Sequence, residues 1–169
     1  MAKVLLAVLL VALAASATLQ AAAAQPNAAT QEFLDAHNQA RAQVGVEPLT
    51  WSEKLANASS LTARYQRDKM GCGFAQLNNG SKYGANQLLA TGSAVTPRVA
   101  VEAWVAEGKY YVHANNSCVQ GHLCGVYTQV VWRKSLEVGC AQAGCLKESA
   151  FLTICFYNPP GNVIGESPY

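Results

Sequence analysis

Residues 150–157 read AFLTICFY. Apart from Thr153, every side chain in the run is apolar. A strand with one wet face alternates apolar and polar residues; this one does not, so both of its faces must be covered. The segment VGCAQA, 138–143, is the natural partner strand. If the two form a hairpin turning near Lys147 and Glu148, Cys140 lies opposite Cys155, a separation that a disulfide can bridge. Upstream, the chain reads as helix and loop. Helices before a strand buried on two sides predict an α+β chain, built as a three-layer α-β-α sandwich.

Three helices are expected. Thr30 can cap the first, whose Phe33, His37, Ala40 and Val44 share one face, and Gly45 ends it. Pro48 opens a turn. The second starts near Ser52 and places Leu55, Ala58, Thr62 and Tyr65 on one side. Residues 71–95 are rich in Gly, Asn and Ser and read as one long loop, which Cys72 could tie down. Thr96-Pro97 is an N-cap followed by proline at the first helical position. The helix it opens sets Ala100, Ala103, Trp104, Glu107 and Tyr111 on one face. A second glycine- and asparagine-rich loop runs from Tyr111 to Gly125. In CGVYTQVVW, 124–132, Tyr127, Val131 and Trp132 are expected in the core.

The N-terminus is set apart from this domain. Lys3, the apolar run Val4 to Leu13 and the small residues Ala21 to Ala24 have the form of a secretory signal peptide, residues 1–24. The run is too short to span a bilayer. A single domain over residues 25–169 follows, about 145 residues, enough for its own core. Without Lys3 it carries 11 Lys and Arg against 10 Asp and Glu. That near-neutral balance argues against nucleic acid as a partner. Six cysteines in an oxidising compartment predict three disulfides, and the lack of a C-x-x-C pair argues against a zinc cluster. Sequons at Asn57, Asn79 and Asn115 are glycosylation candidates. Asn57 falls on the second helix and Asn79 in the turn-rich LNNGS.

Four segments in order resemble one family: DAHNQARAQVGVEPLTW (35–51), AVEAWVAEGKYY (100–111), CGVYTQVVWRKSLEVGC (124–140) and CFYNPPGNVIGESPY (155–169). They resemble the plant pathogenesis-related protein 1 class of the CAP (SCP) superfamily, from about residue 30 to Tyr169. The resemblance implies the sandwich fold and the pairing Cys72–Cys145, Cys118–Cys124 and Cys140–Cys155. It also implies a cleft that in the family holds two histidines and two glutamates, a plausible divalent-metal site. Position by position, that cleft is here Gln76, Ala85, Glu107 and Val126. Three of the four have lost the ionisable group. YGANQLLA (83–90) together with CGVYTQVVW resembles a subgroup from pistil and style tissue.

The expected function is that of a secreted, non-enzymatic protein of plant defence or reproductive tissue. It is expected to be a monomer, in the apoplast or cell wall, with the vacuole as a second destination. No metal or cofactor is expected, because zinc takes three or four protein ligands and this cleft offers one. No nucleophile–base pair is recognisable, since the cysteines are expected to be bonded. His37 reads as a satisfied core side chain; His113 and His122 lie in loops. Glu107 is either a pocket acid or a hydrogen-bonded structural remnant facing Gln76, Asn86 or Tyr127, the second reading being favoured. Some family members bind sterols through a mobile loop, so the resemblance offers Leu77, Tyr83, Asn86, Leu88 and Leu89 as ligand-loop candidates. Otherwise these side chains close the core. Two alternatives stand beside sterol binding. One is a precursor releasing residues 159–169 as a signalling peptide, although Phe156 replaces the family's usual asparagine before the motif's tyrosine. The other is a metal-dependent hydrolase.

Overall fold

The structure, a computed structural model, describes residues 27–77 and 82–169. The hairpin is formed as expected. β5 (Glu137–Cys145) and β6 (Ala150–Asn158) pair antiparallel, with Cys140 opposite Cys155 and a 3-10 turn at Leu146–Glu148. β1 (Thr50–Trp51) and β2 (Gly84–Thr91) complete a four-stranded sheet in the order β1-β5-β6-β2. β3 (Tyr111–Val112) and β4 (Ser117–Cys118) form a separate ribbon.

β6 lies inside the sheet, and its two faces meet different helices. Leu152, Ile154 and Phe156 cluster with Leu55 and Ala63 of α2 (Glu53–Lys69). Cys155 and Tyr157 cluster with residues of α1 (Ala28–Gln43), α3 (Pro97–Val105) and α4 (Gly125–Val130). This two-sided burial is why AFLTICFY lacks alternation. α2 lies directly on the sheet at Gly139, where an added Cβ would collide with the Ala56 nitrogen and the Leu55 carbonyl carbon. There Ser59 Oγ donates to the Gly139 carbonyl at 2.7 Å.

Four local expectations are corrected. α1 starts at Ala28, capped by Asn27, whose Oδ1 accepts from Thr30 N at 2.8 Å; Thr30 is a buried residue of the first turn. The buried face of α2 is Leu55, Ser59, Ala63 and Gln66, whereas Tyr65 is exposed. The long loop of 71–95 contains the strand β2, fully paired with β6. Its mixed polarity hid it, because it is an edge strand with most residues only half-buried. The third helix stops at Val105 and continues as a 3-10 helix over Ala106–Tyr110, so the α-helical face through Glu107 and Tyr111 is not formed and Ala103 is exposed.

The six cysteines pair as Cys72–Cys145, Cys118–Cys124 and Cys140–Cys155. No helix among the described residues is long and apolar enough to cross a membrane. Residues 1–24, expected to be a signal peptide, lie outside the described residues.

Candidate functional site: an uncharged cavity beside Val126

Three elements converge at one end of the sheet. Segment 72–77 is anchored by Cys72–Cys145 and held flat by Gln87 of β2, which accepts from Ala75 N at 2.8 Å and donates to Ala75 O at 3.0 Å. The third element, α4, hangs from the core through Arg41. This buried guanidinium donates to the carbonyls of Glu47, Val130, Trp132 and Ser135 at 2.7 to 3.1 Å. The four carbonyls replace its lost water; burial lowers its pKa to about 10, so it stays charged at neutral pH. Sequence reasoning missed Arg41. The available signal was a charged side chain four residues after His37, on the same helical face.

Val126 is fixed by its backbone. Its carbonyl accepts from Asn86 Nδ2 at 2.9 Å, and its N–H donates to the Glu107 carboxylate. Asn86 Nδ2 also lies 3.2 Å from the Tyr157 hydroxyl, which is 2.8 Å from His37 Nε2. His37 Nδ1 lies 2.7 Å from the Phe33 carbonyl. A carbonyl only accepts, so Nδ1 carries the proton and Nε2 accepts from Tyr157. Burial lowers the His37 pKa to about 4, so the ring is neutral and its role is structural. Burial likewise pushes the Tyr157 phenol well above its ordinary value.

Gln76, Ala85 and Val126 line one cavity of about 850 Å³. Leu77 and Tyr83 line it too, and the C-terminal segment supplies another wall through Asn162 and the fully exposed Ile164. That wall was not anticipated, because it is brought back from far along the chain. Gly84 lets it form: a Cβ there would strike Gln129 Oε1, which accepts from Gly161 N at 3.0 Å.

Of the four cleft positions, Glu107 stands behind Val126, outside the cavity lining. Burial raises its pKa, partly offset by the bond from Val126 N–H. Its Oε2, like Asn86 Oδ1, is a buried acceptor without a protein donor. The metal implied by the family does not fit this donor set. Ala85 and Val126 have no ligand atom, and no group of three or more His, Cys, Asp or Glu that could hold a metal occurs among the described residues. Of the ligand-loop candidates, Asn86 is a buried residue of β2 hydrogen-bonded to the core, and Leu88 and Leu89 are β2 residues packed against opposite core clusters. These three belong to the sheet, since strand pairing with β6 fixes them.

The other histidines are engaged with aromatic rings. His122 stacks on Tyr110 at 3.6 Å, and His113 on Tyr169 at 4.5 Å. Tyr169 also meets the Tyr127 hydroxyl at 3.1 Å, Pro168 O accepts from Arg133 N, and Glu166 pairs with Lys134 at 2.7 Å. The tail is thus docked on α4 and its flanks. Asn57 is exposed on α2 and Asn115 is exposed beside β4, whereas Asn79 lies outside the described residues.

The model of the CAP family, described as the cysteine-rich secretory protein family, matches residues 34–157. The chain belongs to the CAP family. Among its CAP relatives is the STS14 protein of Solanum tuberosum, 65% identical over 141 residues, which are 83% of this chain and 65% of that protein. The chain therefore spans just under two thirds of that relative's length. Pathogenesis-related protein 1C of Nicotiana tabacum is 46% identical over 139 residues, 82% of this chain and 80% of the relative. These matches place it with the plant pathogenesis-related protein 1 class of the family. Solved CAP structures share the fold. The crystal structure of NaASP2 with Zn2+ gives a TM-score of 0.64 at 20% identity, covering 85% of this chain and 86% of that one. MpPR-1i gives 0.58 at 18%, covering 83% and 93%.

Proposed function

We propose that this protein is a secreted, non-enzymatic binding protein of the pathogenesis-related 1 class, whose ligand is a sterol or a sterol-like apolar molecule. The observation that carries the reading is the cavity beside segment 74–77. At about 850 Å³ it falls in the size range of small-molecule sites. Apolar side chains form much of its wall, including Leu77 and Tyr83, and the half-exposed Phe74 stands at its edge.

A role without turnover fits the described residues. All six cysteines are bonded, and His37 is neutral with both ring nitrogens engaged. A general base or nucleophile needs a reactive partner within hydrogen-bond reach, and neither ring stack provides one. The test is direct titration of the secreted protein with dehydroergosterol, followed by fluorescence. Saturable binding at micromolar concentration supports the proposal. An intact, cooperatively melting protein that binds no sterol there would sink it.

A further inference from the structure

We infer that the ligand lies across the vestigial cleft itself, against Val126, and that the site accepts an uncharged hydroxylated lipid while refusing its anionic counterpart. The inference rests on the sterol-binding proposal and adds both a place and a selectivity to it.

The place follows from convergence. Gln76, Ala85 and Val126 come from the tied segment, β2 and α4, yet line a single cavity. At those positions the family resemblance implies ionisable groups; here they are an amide, a methyl and an isopropyl group. At these three positions no charged side chain stands between the cleft and the apolar wall formed by Leu77 and Tyr83.

The selectivity follows from the lining. Among the described residues that line it, none carries a carboxylate, ammonium, guanidinium or imidazole. Three of its polar side chains are already committed. Gln87 is bonded to Ala75, Gln129 to Gly161 and Ser135, and Asn162 to Thr128 and Gly125. Gln76, exposed at the rim, is the amide positioned to meet a ligand hydroxyl. An anion placed against the same walls would lose its water and find no countercharge among these lining residues. Lys82, outside the lining, holds its ammonium over the Tyr83 ring at 5.6 Å, exposed to solvent.

The experiment displaces dehydroergosterol from the full secreted protein with cholesterol and with cholesteryl sulfate. Cholesterol should be effective at about tenfold lower concentration, a difference of about 1.4 kcal/mol. Val126→Lys sets an ammonium in the cavity wall, which Glu107 does not line. It should weaken cholesterol by about tenfold and reverse the preference in favour of the sulfate. Should that variant fail to melt cooperatively, Gln76→Lys at the exposed rim decides instead, because it cannot disturb the core; it should narrow the discrimination. Equal displacement by the two lipids in the parent would overturn the inference while leaving sterol binding standing. So would folded variants whose preference matches the parent's. A parent that binds no sterol defeats the underlying proposal as well.

Discussion

At His37, packing and titration work against each other. The ring is neutral because its surroundings exclude water, and burial lowers its pKa from 6.5 to about 4. Unfolded, the same histidine takes up a proton near pH 6.5. The unfolded chain thus binds more protons between pH 6.5 and 4, and stability must fall as the pH drops through that window. The shift amounts to about 3 kcal/mol. The melting temperature should therefore decline from pH 7 to pH 4. His37→Gln, which can keep one donor and one acceptor, should flatten that decline; an unchanged slope would show that other groups govern it. Glu107 works in the opposite sense. Its folded pKa is raised, so it is most favourable when protonated and loses stability as the pH rises through that pKa. Glu107→Gln should raise the melting temperature at pH 7 and leave sterol affinity unchanged. A loss of binding would identify it as a ligand group. Zinc probes the same cleft. Calorimetry on the parent should detect no stoichiometric tight binding, whereas Gln76→His, Ala85→Glu and Val126→His combined should gain affinity. One equivalent of zinc on the parent, abolished by Glu107→Ala, would reverse this view of the site.

Among the elements, the contact of α2 with β5 is the least forgiving. Gly139 has backbone atoms of Ala56 and Leu55 where a Cβ would stand. Neither can swing aside as a flexible side chain could. Gly139→Ala should cost about 3 kcal/mol or more, read by denaturant unfolding, with Gly144→Ala as the mild control, where only the Phe151 ring approaches at 3.3 Å. The elements also differ in how plainly the sequence announced them. β6 was legible because its two-sided burial removes alternation, and β5 because a cysteine register tied it to β6. β2 was not, since GANQLLAT mixes glycine, amides and leucines on a half-buried edge. The end of α3 was missed because no proline or glycine marks the change to 3-10 geometry at Ala106. The cleft positions were legible only through the family's motifs. No periodicity connects Gln76, Ala85 and Val126, and the wall carrying Ile164 depends on a chain reversal after Asn158.

At the scale of the molecule, three disulfides hold segments at very different separations. Cys72–Cys145 closes 73 residues and Cys118–Cys124 only 6. If the bridges act by restricting the unfolded chain, removing the first should cost about 4 kcal/mol and removing the second about 2 kcal/mol. Paired Cys→Ser variants compared by thermal melting check the order, and an inverted order would mean that native packing around Cys118 matters more than chain entropy. The docked tail has a different consequence. Residues 166–169 are held by an ion pair, ring stacking and hydrogen bonds to α4, to Asn116 just before β4 and to the turn after α4. Cutting the chain near Pro159 would sever one covalent link and leave these attachments in place. A nicked molecule should therefore travel through gel filtration as one particle, its short fragment parting only on denaturation. Any signal carried by that fragment would be timed by its dissociation rate and not by the protease.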